Sequence, residues 1–319
     1  MVHIDLRKRV INIFGMIVMI SSLAFICKRF TNFGIDYYLF ASPRILALTL
    51  GLSVVQLLSL FLLAYVWRVI LKCFVKSSID MANVADVYFK SNIAKYLPGN
   101  VGHYIGRQVL GISLGMTQTQ LALSSVFEIG LTTLSALMIA LIFGGRKLFE
   151  TYDSLRQNDA LTIIVGMIAC ILSVFVILLL LKVIKKNNLL HAILSLFTEK
   201  LFWISIAWAI SLYIIQFFIF GSIFVLLVRM NILLSVADIL ILLTASIISW
   251  IIGFITPGVP GGMGIRESAL LLMLPKYPQD TILFAAIIHR VIMIFGDIMA
   301  WIISVAFLGR NSKKTSSDN

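Results

Sequence analysis

The chain has 319 residues, 60% of them hydrophobic and 13% charged, with a mean hydropathy of +1.03. A soluble domain is roughly half apolar and a quarter charged, so this composition excludes one and indicates an all-α polytopic integral membrane protein. The net charge of +12 would suggest nucleic acid in a soluble chain. Here it fits cytoplasmic loops rich in Lys and Arg lying against anionic lipid, and no nucleic-acid partner is expected.

Arg7-Lys8-Arg9 precede an apolar run over 10–27 that ends at Lys28-Arg29 without a small-residue cleavage pattern, which predicts a retained anchor. A second run covers 45–67, followed by a basic stretch with Arg68, Lys72, Lys76, Lys90 and Lys95. Residues 79–94 mix Asp80, Asp86 and Lys90 with apolar residues, the pattern of a half-helix or an interfacial helix. After a break near Pro98, residues 106–114 allow only a short helix, and a long run follows over 118–143. The loop 144–159 is neutral. Further spans are expected at 161–181, at 201–228 with Trp203 and Trp208 as interface anchors, and at 281–308. Residues 232–256 lead into a second break, 265–274 are short, and 311–319 form a polar tail.

The basic segments belong in the cytoplasm, together with both termini, and the neutral loop outside. Six full spans satisfy this assignment when the segments around the two breaks, 79–115 and 232–276, each leave and return on one side. Residues 232–256 are nonetheless long enough to cross at about 1.5 Å per residue. The order span, span, broken hairpin, span then occurs twice, over about 1–158 and 159–310 of a single membrane domain. With three spans in the first half, the second half is inverted, which is the pattern of transporters whose discontinuous helices meet near the bilayer midplane.

The breaks carry the chemistry. The first reads Lys95-Tyr96-Leu97-Pro98-Gly99-Asn100-Val101-Gly102-His103, with Arg107 nine residues after Pro98. The second reads Pro257-Gly258-Val259-Pro260-Gly261-Gly262-Met263-Gly264-Ile265, with Arg266 nine residues after Pro257 and Glu267 next to it. Proline interrupts the helical ladder, and glycine permits irregular backbone that approaches a ligand closely. Such backbone at membrane depth must be packed in protein or line a watery cavity. A helix start beside an arginine suits a phosphate or carboxylate. The alternative is a pair of structural kinks. Inside the spans, Glu128, His289, Arg290 and Asp297 are costly and point to a polar interior. They form either a head-group cavity, with proton coupling through His103, His289 or a carboxylate, or structural ion pairs that neutralise Arg107, Arg266 and Arg290.

The three cysteines lie scattered in or beside apolar runs, which implies packing rather than a disulfide framework. No metal, nucleotide-loop or Ser-His-Asp pattern is present, so no catalytic residue, metal or cofactor is expected, and an enzyme is the less favoured class.

The stretch Lys95–Gly102 with Arg107, and Pro260–Glu267, resemble the paired motifs of the lysylphosphatidylglycerol synthase transmembrane-region family, also called flippase-like. The resemblance extends over nearly the whole chain in length, span count and motif placement. It implies movement of aminoacylated phospholipids or polyprenyl-linked sugars between leaflets of a bacterial inner membrane. Members that make the aminoacyl lipid carry a further soluble C-terminal domain; this sequence stops at Asn319, so synthase activity is not expected. In the family the span after the first motif often has Glu-Arg, whereas here Ile129 follows Glu128, a departure that bears on a charge pair there and on head-group preference. Substrate contact is expected of Lys95, Pro98, Gly99, Asn100, Gly102, His103, Arg107, Pro257, Gly258, Gly261, Gly262, Gly264, Arg266, Glu267 and Arg290. Charge balance or proton coupling is expected of Glu128, His289 and Asp297. Two other classes remain open: a membrane partner or anchor of a cell-envelope glycosyltransferase, and a membrane-embedded transferase acting on a lipid carrier.

Overall fold

A computed structural model describes residues 42–75, 79–96, 101–155, 197–256 and 260–308. All regular structure among them is helical. Helix α1 is Pro43–Lys72, with proline at its start, where the missing N–H costs nothing. Helix α2, Met81–Asn92, tightens into a 3-10 turn over Ile93–Tyr96 as the first break begins. Beyond the break, α3 covers Gly102–Gly111. Helices α4 (Gln118–Leu155) and α5 (Lys200–Arg229) follow. Helix α6 is Val236–Ile255, opened by Ser235, whose side chain accepts from the Asp238 N–H while Asp238 accepts from the Ser235 N–H. A 3-10 turn at Pro260–Gly262 leads to α7, Ile265–Met273, and then α8, Gln279–Ile303, which continues as a π-turn over Ser304–Leu308.

Five of these helices are long and apolar enough to cross a membrane: α1, α4 over Gln118–Gly144, α5, α6, and α8 with its extension. The protein is a multi-pass membrane protein. Four of the five match the expected spans at 45–67, 118–143, 201–228 and 281–308. The fifth, α6, was expected as one arm of a broken hairpin. It has no proline, and its one charge, Asp238, sits in the capped first turn. Nothing therefore interrupts it before Gly253, and 20 residues reach about 30 Å, the thickness of the hydrocarbon core. The spans expected at 10–27 and 161–181 and the tail 311–319 lie outside the described residues, as do Pro98, Gly99, Asn100, Pro257 and Gly258.

The core lies where α5, α6 and α8 pack around Phe224, Leu242 and Ile292, and where α1 packs on α2 through Trp67, Leu71 and Phe89. Small residues set the close approaches. A Cβ on Gly106 of α3 would lie 3.0 Å from Ser91 Cβ of α2, so these two short helices touch backbone to backbone beside the first break. Serine and threonine hydroxyls within the helices donate back to carbonyls four residues earlier, as Ser53 does to Thr49 and Ser135 to Leu131. That satisfies them without water. Trp203 and Trp208 of α5 are both about half exposed, as residues facing lipid or interface would be.

Both helix pairs around the breaks have ends that come back together. After α3, Gln120 Nε2 donates to the Phe74 carbonyl at the end of α1, ahead of α2. After α7, the Tyr277 hydroxyl donates to Asp238 Oδ1 in the first turn of α6, at 2.6 Å.

Candidate functional site

The two breaks meet. The Tyr96 ring, at the start of the first, lies over Gly261 in the second: a Cβ there would stand 3.5 Å from Tyr96 Cδ1. The second break turns through Gly261 (φ 56°), Gly262 (φ 70°) and Gly264 (φ 82°), conformations glycine adopts at no steric cost. Just beyond, Glu267 in the first turn of α7 accepts from the Gly264 N–H through Oε2 at 2.7 Å.

Beside this junction lies a cavity of about 160 Å³. Lys95, Arg266, Glu267, His289 and Arg290 all line it, so residues of both breaks and of α8 converge there. Arg290 Nε lies 2.9 Å from Glu267 Oε1, and its Nη2 donates to the Gly262 carbonyl at 3.3 Å. These contacts tie α8 to the second break. His289 hydrogen-bonds the Phe220 carbonyl through Nε2 at 3.0 Å, so that nitrogen carries its proton, and the ring meets Phe220 edge to face.

Arg266 differs from its neighbours. No carboxylate among the described residues forms an ion pair with it, and its buried Nε has no hydrogen-bond partner. Its stem is held by glycine backbone: Cβ atoms on Gly253 and Gly262 would fall 2.6 and 2.8 Å from Nε. The nearest acid in sequence, Glu267, is committed to Arg290 and to the Gly264 N–H.

The other expected residues divide into two groups. Lys95 lines the cavity and also pairs with Asp297 Oδ2 at 2.6 Å. Asp297, whose side chain is fully buried, accepts in addition from Asn92 Nδ2 at 2.8 Å and from the Tyr96 hydroxyl at 2.5 Å. This cluster binds the first break to α8. Arg107 and Glu128 sit elsewhere. Arg107 is 1% exposed, pairs with Glu128, and has its guanidinium carbon 4.0 Å from the Tyr88 ring centroid, with Trp67 and Tyr104 at 5.2 and 5.5 Å. A charge pair therefore exists at Glu128 without an arginine at position 129. Gly102 and His103 are buried next to it, with the His103 ring 3.9 Å from that of Tyr104. Neither Arg107 nor His103 is among the cavity-lining residues.

The remaining polar lining comes from Gln56 of α1, Asn92 of α2, Gln216 of α5, and Ser246 and Ser249 of α6. None is charged and none belongs to a motif, so the sequence does not single them out. The usable signal is an uncharged amide within an apolar span. Compared with known protein families, curated proteins and solved structures, the chain matches none at a significant level.

Proposed function

We propose that this protein binds a phosphate-bearing lipid head group in the cavity between the two breaks and carries it across a bacterial inner membrane. The observation that carries the reading is Arg266, a buried guanidinium with which no carboxylate among the described residues forms an ion pair, on the wall of a cavity within an apolar protein. An unpaired charge in such a place costs several kcal/mol, and an anionic ligand removes that cost. Lys95 and Arg290 also line the cavity, each paired with a carboxylate, Asp297 and Glu267. Glycine backbone with positive φ lets the second break pack against Gly253 and the Arg266 stem, which holds the arginine at the cavity wall.

The return of the chain from α7 to the first turn of α6, and from α3 to the end of α1, supports two hairpins whose tips meet in the protein interior. Inverted repeats with both termini in the cytoplasm, and alternating exposure of the cavity to the two leaflets, complete the proposal. This is also the function that the resemblance to the flippase-like family implies.

The test is translocation by the purified full chain in liposomes, with a fluorescent phosphate lipid whose outer-leaflet fraction is bleached by an impermeant reductant. Wild type should render nearly all the label accessible and Arg266→Ala should not. Equal accessibility in empty and protein-containing vesicles would overturn the reading.

A further inference from the structure

Two arginines of the cavity wall converge on one glycine, which bears on what a bound phosphate does to the protein; the inference rests on the reading above. Arg290 Nη2 donates to the Gly262 carbonyl at 3.3 Å, and a Cβ on the same residue would lie 2.8 Å from Arg266 Nε. Guanidinium groups brought together in this way repel each other. The one carboxylate among the cavity-lining residues, Glu267, pairs with Arg290 and leaves Arg266 out. A phosphate monoester has three terminal oxygens and up to two negative charges, more than one guanidinium satisfies. Held by Arg266, it competes with Glu267 for Arg290.

Both charges of the pair keep a partner when it opens. Glu267 Oε2 accepts from the Gly264 N–H at 2.7 Å in the first turn of α7, so the carboxylate retains a hydrogen bond and the positive end of the helix. Arg290 exchanges a carboxylate for a phosphate. The two side chains are 14% and 15% exposed, so neither is stranded in a dry interior. The other ion pair of α8 is of a different kind. Asp297 has a fully buried side chain and holds Lys95, Asn92 and Tyr96 at once, and breaking that cluster would strand it. Opening the Arg290–Glu267 pair therefore frees α8 from its polar contacts with the second break and leaves its hold on the first. The backbone of the second break turns there through Gly261, Gly262 and Gly264, where rotation meets no Cβ.

We propose that Glu267 is an internal stand-in for the ligand phosphate: an anion bound to Arg266 displaces it from Arg290, and the exchange releases α8 from the second break. Arg266 is the first phosphate ligand and Arg290 the second. Glu267 is a positioning residue that holds Arg290 at the cavity until the phosphate arrives.

The experiment combines two readouts on the detergent-purified full chain. One is binding of farnesyl phosphate and of farnesol. The other is the distance between spin labels at Leu272→Cys, exposed on α7, and Ile302→Cys, exposed near the end of α8, with the native cysteines replaced by alanine. With the site otherwise wild type, farnesyl phosphate should shift or broaden the distance distribution, and farnesol should not. Two variants break the pair from opposite sides. Glu267→Gln, which keeps an acceptor for the Gly264 N–H, should show the shift without ligand. It should also bind farnesyl phosphate on the order of tenfold more tightly, because the competitor is gone. Arg290→Met should show the same shift, yet bind the phosphate on the order of tenfold more weakly. A purely structural pair would make both variants bind worse. Farnesol binding equal to wild type reports an intact fold, and the ligand-induced shift needs neither variant. The exchange is overturned if Glu267→Gln binds farnesyl phosphate no better than wild type. It is equally overturned if phosphate binding that Arg266→Ala abolishes leaves the distances unchanged; both outcomes leave the phosphate site standing. If Arg266→Ala does not weaken farnesyl phosphate binding, the phosphate site falls and the exchange with it.

Discussion

A Cβ atom on Gly253 would lie 2.5 Å from Arg266 Cγ, so the arginine stem occupies the space that the missing side chain leaves on α6. Gly253→Ala should therefore displace the Arg266 stem, which Gly262 holds from the other side, at some cost in stability. The expected result is roughly a tenfold loss of affinity for a phosphate lipid, the worth of one charge-assisted hydrogen bond, with a lowered melting temperature. Gly51→Ala is the control: nothing lies within 4 Å of its Cβ, and the exchange should leave binding alone and slightly stabilise α1.

Arg107 and Glu128 should behave as a structural pair. Removing one partner leaves a buried charge unpaired, at a cost of about 3–5 kcal/mol, so Arg107→Ala or Glu128→Ala should lower thermal stability sharply in detergent. The double variant Arg107→Met/Glu128→Leu should be more stable than either single one. Arg107→Lys should not restore wild-type stability, since an ammonium cannot reproduce the planar stacking among Trp67, Tyr88 and Tyr104.

Lys95 and Asp297 should be unequal. Asp297 holds Lys95, Tyr96 and Asn92 at once and is fully buried, whereas the Lys95 side chain is 25% exposed. Asp297→Ala strands three polar partners and should destabilise much more than Lys95→Met, which leaves two of Asp297's hydrogen bonds in place. Thermal unfolding of the two variants side by side checks the ranking.

Tyr277 supplies a pH dependence outside the spans. Burial, then the hydrogen bond to Asp238 and its charge, push the phenol up from its ordinary value near 10. The neutral phenol is thus favoured in the folded state. Its stabilisation is fully present below about pH 10 and is lost as the pH rises through the raised folded value. The melting-temperature difference between wild type and Tyr277→Phe should be constant from pH 7 to about 9 and shrink above 10.

The sequence displays the helices and the two breaks because apolar runs, prolines and glycines are local signals. It also displays Arg266 and Arg290, since charges inside apolar spans stand out. Which arginine is neutralised is a tertiary matter. Arg107 and Arg266 share the same spacing from a proline, yet Glu128 packs against the first and no acid of the described residues pairs with the second. The neutral wall of Gln56, Gln216, Ser246 and Ser249 comes from three helices far apart in sequence and becomes one surface only on packing. The length of α6 is readable from its residues; the contact between Tyr277 and Asp238, which brings the end of α7 back to its first turn, is not.

The central claim is that Arg266 takes a lipid phosphate, and the most direct test compares farnesyl phosphate with farnesol, which differ only in that group. On the wild-type chain the phosphate should bind at least about tenfold more tightly, and Arg266→Ala should abolish the difference while leaving farnesol binding unchanged. Equal binding of the two by wild type, or a phosphate preference that survives Arg266→Ala, would contradict it.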